Sequence, residues 1–293
     1  MTTKKKRPSI PQAQSAPATG PEPAKQAPTS EITTAKITVV LNGFRRAENL
    51  NEQVDAIEAQ TVKPTEILVW HNATDSSSIK QNTSIASRTV SAYSNKNFGV
   101  WARFAFALNA RTEYVAMFDD DTIPGARWLE NCLETMRERE ALLGTIGLLY
   151  IDPPPPAQAS YYNPFVKIGW YPEGQRGEAV EVDFVGHAWF FKRAWLSTFW
   201  RELPDPDVWL CGEDMHFSAM LQKYLAIPTV VPRHPPGQPE LWGSTSGAVK
   251  GTDAHSLWES NPKDGTAQPF RESMDAWFKR QRRAGWRLVN DAR

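Results

Sequence analysis

The chain has 293 residues, with 33 Lys+Arg against 33 Asp+Glu, a formal net charge of zero, and 41% hydrophobic residues that include 12 Trp and 13 Phe. That apolar content supports a substantial buried core and excludes a disordered or fibrous chain, while the balanced charge argues against a dedicated nucleic-acid binder. The two cysteines, Cys132 and Cys211, exclude a disulfide framework and show no zinc-type spacing; no apolar run approaches a membrane span, and the N-terminus lacks the apolar core of a leader, so a cytoplasmic compartment is expected.

Residues 1–35 carry no aromatic side chain, open with Lys4, Lys5, Lys6 and Arg7, and continue through Pro, Ala, Ser and Thr. Such a segment buries too little apolar surface to offset its ordering entropy, so it reads as a disordered tail. Its basic cluster is a solvated run or a peripheral contact for anionic lipid. Residues 36–293 read as one domain. Strand signals at 37–41, 66–71, 89–93 and 114–118 alternate with helical patterns at 47–60 and 101–110, an order that predicts an α/β fold with a parallel sheet flanked by helices. Past Tyr150 the pattern loosens. Pro153 to Pro156 must be loop, residues 161–177 read as a long surface segment, 180–191 as a strand interrupted near Gly186, and 213–224 and 270–284 as helices.

Asp119, Asp120 and Asp121 stand at the carboxyl end of the fourth predicted strand, the end outside which ligands bind in open α/β sheets. Adjacent carboxylates repel unless a cation or hydrogen-bond donors compensate. Oxygen ligands suit Mg²⁺ or Mn²⁺, and alternation along an extended segment lets Asp119 and Asp121 face one side. A polar turn is the plainer alternative. Glu213 and Asp214 open a predicted helix. Asp214 is either a helix-start carboxylate or a general base for an acceptor hydroxyl.

Residues 37–45 (ITVVLNGFR), 66–72 (EILVWHN), Asn97 to Gly99, Phe118 to Asp121 and Gly212 to Asp214 occur in the order seen in GT-A-fold glycosyltransferases. The chain resembles family 2 of these enzymes, and residues 182–191 with Glu213 and Asp214 also resemble the transferase domain of exostosin-like enzymes. The likeness covers residues 37–234. It implies a Rossmann-like nucleotide-sugar half (36–150) and an acceptor half (151–293), a nucleotide-diphosphate sugar donor, and Mn²⁺ or Mg²⁺ as cofactor. It also implies donor contacts from Asn42, Gly43, Arg45, Asn72, Asn97, Arg103, Asp119 and Asp120, with Asp119 near the ribose and Asp121 on the metal. Asp214 would be the base of an inverting transfer, with Glu213 beside it, whereas exostosin-like enzymes retain configuration. Arg103 is a planar donor array for phosphate or a surface arginine on its helix.

His71, His187, His216, His234 and His255 are the five histidines. The resemblance offers His234 as a further metal ligand; a loop histidine among prolines is the alternative. His187 and Trp209 are expected at the acceptor, and Trp170, Tyr171, Trp189 and Trp242 are further plates for sugar rings or simply core. Lys279, Arg280, Arg282, Arg283 and Arg287 are a lid over the diphosphate, a surface patch or a solvated helix face. The expected activity is metal-dependent glycosyl transfer to a glycan, lipid-linked or protein hydroxyl. A carbohydrate-binding protein with a decayed transferase fold is the alternative from another class. A phosphotransferase would want a phosphate-cradling GxxxxGKS-type loop, which the sequence lacks.

Overall fold

The computed structural model describes residues 35–44, 46, 48–72, 83–204, 211–245, 250 and 267–291. The basic cluster at Lys4 to Arg7, Arg45, Trp209 and His255 lie outside the described residues.

Strands β1 (Ile37–Gly43), β2 (Glu66–His71), β3 (Val90–Tyr93) and β4 (Tyr114–Phe118) form the parallel part of a nine-stranded sheet, in the order β3-β2-β1-β4. β1 is buried along nearly its whole length because parallel neighbours flank it and helices cover it, which is why its residues are Ile, Thr, Val, Val and Leu rather than alternating. Helix α1 (Asn49–Glu58) makes the crossover from β1 to β2 and buries Leu50, Val54 and Ile57. The register pairs Gly43 with His71 and Leu41 with Phe118. Adjacent strands therefore end together, and their following residues form one rim.

Beyond β4 the sheet becomes mixed. β8 (Phe184–Lys192) runs antiparallel to β4 and to β5 (Leu142–Tyr150); β6 (Phe165–Ile168) is antiparallel to β5; and β9 (Thr229–Val231) is parallel to β5 and antiparallel to β7 (Val180–Val182). The parallel order read from the first half of the chain ends at β4, within a sheet expected to be mostly parallel. The segment expected as one strand broken near Gly186 divides at Asp183, where the chain changes sheet partners. The surface segment 161–177 contributes β6. One continuous sheet crosses both halves of the chain.

Helix α2 (Ala102–Phe106), continued by a 3₁₀ turn to Asn109, and α3 (Trp128–Glu138) flank the sheet. α4 (Glu213–Leu225) packs on β8, and α5 (Ala267–Arg283) packs on α4. Trp277 of α5 stacks on Trp101 at 6.1 Å between centroids and meets His216 edge-on, beside Phe199. α5 is therefore docked through its apolar face rather than placed as a lid: Arg282 is buried on Asp291, and Lys279 pairs with Asp275.

Candidate active site

The acidic turn is fixed from α1. Gln53 Nε2 donates to the carbonyls of Asp119 (2.6 Å) and Thr122 (3.0 Å), and Asn49 Nδ2 donates to that of Asp120 (2.9 Å). Because β8 runs antiparallel to β4, its early residues lie beside this turn, and the Asp119 amide donates to the His187 carbonyl at 2.9 Å. His187 has φ of +64°, a left-handed conformation that a Cβ-bearing residue adopts at a cost. It aims Nδ1 at Asp121 Oδ1, 3.8 Å away.

The ligand atoms of Asp119, Asp121 and His187 lie within 4.8 Å of one another. Among the described residues the Asp121 carboxylate has no hydrogen bond shorter than 3.2 Å: Arg46 Nη1 donates at 3.2 Å and the Thr122 hydroxyl at 3.3 Å, with His187 Nδ1 at 3.8 Å. His187 Nδ1 is buried without a hydrogen-bond partner among the described residues. Two carboxylates and an imidazole with an unmatched buried nitrogen are a donor set that fits a divalent cation. His234 is not brought to this cluster. Its Nδ1 lies 2.7 Å from the Pro232 carbonyl, and its Nε2 accepts the Gly243 amide at 3.2 Å beside the Thr145 hydroxyl. Both ring nitrogens are engaged, so His234 is corrected to a core histidine, and the histidine at the cluster is His187.

The second acidic pair is divided by the helix it opens. Gly212 has φ of +88°, and a Cβ there would stand 2.1 Å from the Trp277 ring, so only glycine admits this approach of α5 to the start of α4. Glu213 turns inward and is buried, accepting from Arg103 Nη2 at 2.7 Å. Asp214 stays half-buried: Oδ1 accepts the Met215 amide at 2.7 Å, and Oδ2 takes no hydrogen bond among the described residues. A Cβ on Gly186 would meet only that Oδ2, at 4.0 Å, so Asp214 borders open space beside the strand position before His187. Burial raises the Asp214 carboxyl to about 6 and the Glu213 carboxyl to about 8. It also raises Asp120 to about 7, against the pull of Arg46, whose Nη1 donates to Asp120 Oδ1 at 2.7 Å.

Arg103 is neither the surface arginine nor the open phosphate donor expected. Its side chain is 6% exposed, Nη1 bonds Asp119 and Nη2 bonds Glu213, so both terminal nitrogens are engaged by carboxylates. Asn72 and Asn97 are joined to each other by a 2.8 Å amide hydrogen bond; Asn72 Oδ1 accepts the Phe98 amide, and Asn97 Oδ1 accepts the amide of Gly99, which has φ of +69°. These asparagines brace the loop at the rim ends of β1 and β2, beside half-buried Asn42 and buried Gly43. Next to them His71 stacks on Tyr93 at 4.3 Å, and burial lowers its imidazole to about 4.

Among the aromatic candidates, Trp189 is core beneath Arg103 and Trp242 is largely buried, its indole bonded to the Pro235 carbonyl. Trp170 meets His187 edge-on at 5.9 Å, and Tyr171 is exposed. The part sequence reading missed is the set of partners across the rim: His187 with Asp121, and Arg103 between Asp119 and Glu213. The left-handed His187 has no signature in composition. The aspartate run with a charged helix start is a signal that some cation must bridge them.

No helix among the described residues is long and apolar enough to cross a membrane. A sequence comparison with curated proteins finds no match. In fold the chain is similar to the crystal structure of S. aureus TarS, with TM-score 0.47 and 16% identity over 68% of this chain and 35% of that chain. It is also similar to S. aureus TarS 1–349, with TM-score 0.45 and 14% identity, and to TarS 1–349 in complex with UDP, with TM-score 0.47 and 13% identity; each match covers 68% of this chain and 60% of that chain. The matched region is thus about a third of the full TarS chain and under two thirds of the fragment. The family model for glycosyl transferase family 2 matches residues 37–200, more than half of the chain, and the chain belongs to that family.

Proposed function

We propose that this chain transfers a glycosyl group from a nucleotide-diphosphate sugar to an acceptor hydroxyl, by direct displacement with inversion and with Asp214 as the general base. The observation that carries this reading is the pairing of two unlike acids on one rim. Asp119 and Asp121 converge with His187, while Asp214, at the start of α4 beside Gly186 of β8, keeps one oxygen without a hydrogen bond among the described residues and toward open space. The first group suits an anionic diphosphate with a cation between; the second suits a proton acceptor.

The nucleoside portion is assigned to the rim ends of β1 and β2, with Asn42, Gly43, Arg45, Asn72, Asn97, Asp119 and Asp120 as donor contacts. Asp119, Asp121 and His187 would hold Mn²⁺ or Mg²⁺, which supplies charge neutralisation for the leaving diphosphate when bound. The imidazole in the set favours Mn²⁺. Asp214 Oδ2 removes the proton of the acceptor hydroxyl as its oxygen attacks the anomeric carbon. The bond from that carbon to the diphosphate oxygen breaks, and its electron pair leaves with the nucleoside diphosphate. Glu213 acts through Arg103 rather than on substrate. A carboxylate raised to about 6 is ionised at neutral pH yet basic enough to share a proton in the transition state. The acceptor is a hydroxyl of a glycan, a lipid-linked sugar or a protein.

The test is a thermal-shift and donor-hydrolysis panel with Mn²⁺ or chelator. TarS 1–349 is described in complex with UDP, and UDP is the first probe. Stabilisation by UDP that needs Mn²⁺ and release of UDP from a UDP-sugar are the expected results. No stabilisation by any nucleoside diphosphate, with or without metal, overturns the reading.

A further inference from the structure

Resting on that reading, we propose that Arg103 is a positioning residue that latches the base-bearing helix to the acidic turn. Its side chain is 6% exposed and touches three elements at once: Asp119 after β4, Glu213 at the first turn of α4, and the face of Trp189 on β8, 4.7 Å from the ring centroid. Trp189 lies two residues beyond His187 on the same strand. One guanidinium thus ties together the elements that carry the acidic turn, the base and His187, across sequence separations of 16 and 110 residues.

The burial of Arg103 and its two carboxylate partners argue against a simpler role as a donor contact. Nη1 and Nη2 are held by carboxylates, and Nε is buried. Glu213 and Asp214 are consecutive residues at a helix start, so their side chains diverge by about 100° around the axis. Gripping Glu213 from the inside therefore sets the rotation of the first turn, and with it the direction of Asp214 toward the space beside Gly186. The planar fork suits this task, since it presents two nitrogens to two carboxylates at a fixed angle, which an ammonium does not. A misplacement of about 1 Å in a reacting group costs on the order of 100-fold in rate. The latch holds the base at a fixed separation from the turn that grips the donor.

The test uses the full chain and three variants: Arg103→Met, Arg103→Lys, and Arg103→Met with Glu213→Gln, the last removing the more buried of the two carboxylates that the first leaves uncompensated. UDP affinity in the presence of Mn²⁺ is read by calorimetry, and turnover by release of UDP from UDP-sugars. The double variant is expected to unfold cooperatively, to bind UDP within threefold of the parent and to lose about 100-fold in kcat with little change in KM. Arg103→Lys is expected to recover about tenfold of that loss. A double variant that keeps kcat, or that loses UDP affinity and turnover in the same proportion, overturns the latch, as does failure of every variant to fold, which would make Arg103 a residue of the fold alone. A parent protein that neither binds UDP nor consumes any nucleotide sugar instead defeats the transferase reading, so the two failures are told apart.

Discussion

Two regions of this molecule bury clusters of charge, and they are finished differently. Near the C-terminus, Arg282 grips both oxygens of Asp291 at 2.6 Å and donates to the Trp286 carbonyl, while Asp183 accepts the amides of Tyr150 (2.8 Å) and Val289 (2.7 Å). A cavity of about 830 Å³ lies against them, lined also by Pro153 to Pro156. At the rim of β4, Asp121 has only long contacts, His187 Nδ1 has no partner and Asp214 Oδ2 is unbonded among the described residues. Buried charge that is saturated holds a fold together; buried charge left short of partners is available to a ligand or a proton. A cavity of that size at a cluster whose carboxylates are already paired shows that volume alone does not mark the place where chemistry is proposed.

The comparison breaks most sharply at Asp214. Asp214→Asn keeps the shape and removes the proton acceptor, and turnover is expected to fall about 1,000-fold, within the range general-base catalysis supplies. UDP affinity measured by calorimetry should stay within threefold. A variant that retains full turnover assigns the base elsewhere.

Next comes the cluster with the long contacts. Asp121→Asn and His187→Ala are each expected to weaken Mn²⁺-dependent UDP binding, Asp121→Asn by about 100-fold and His187→Ala by about tenfold, since removing a ligand costs at least what disturbing its outer partners does. The matching change at His234 should leave metal affinity alone, because both its nitrogens are engaged inside the core. Metal titration followed by intrinsic fluorescence reads both results, and a His234 variant with the larger loss would restore the ligand set that the sequence suggested.

These two predictions also mark what was legible in the sequence. β2 and β4 follow their apolar runs to the residue, 66–71 and 114–118, because a buried parallel strand needs an unbroken apolar run and ends where charge begins. The helix opened by Glu213 and Asp214 is legible for the same reason: polar residues precede a helical apolar face. α3 and β5 carry no comparable punctuation; Leu142–Tyr150 contains two glycines and reads as neither clear period. Within the site, the aspartates are legible but their partners are not. Arg103 meets Glu213 only because β4, β8 and α4 converge, and His187 reaches Asp121 through a backbone conformation that its residue type does not announce. Local pattern reports which residues are charged; the fold decides which charges meet.

A smaller effect is expected from pH. Asp214 must be ionised to act, and burial places its carboxyl at about 6, so kcat/KM should fall toward tenfold per pH unit once the pH drops below about 6. The sign for stability is opposite. A carboxyl raised in the folded state stabilises that state when protonated, fully so below its unfolded value near 3.8, and this contribution is lost as the pH rises through about 6. Activity and this component of stability therefore change in opposite directions across the same window. An Asp214→Asn protein should lose that component of the stability profile, as denaturant unfolding at pH 4 to 7 would show. A parent enzyme whose acid limb lies below pH 4.5 would place the base in water rather than in the half-buried setting seen here.

The smallest effect on turnover is expected at the saturated cluster, and there the contrast is cleanest. Arg282→Met removes the guanidinium that Asp291 and the Trp286 carbonyl share, and should lower unfolding stability by about 3 kcal/mol, since breaking a buried pair strands the remaining charge. Asp291 is about a quarter exposed, so water recovers part of the loss and the low end of the usual range applies. The folded fraction should turn over within twofold of the parent, because both carboxylates of this cluster are already hydrogen-bonded within it and offer substrate nothing to complete. Arg103 and Arg282 are both buried arginines joined to carboxylates, with side chains 6% and 1% exposed. If the folded fraction of Arg282→Met lost about 100-fold in turnover, as is expected of the Arg103 and Glu213 double variant, saturation would not be what separates the two regions, and the cavity against Arg282 would have to be counted as part of the working site.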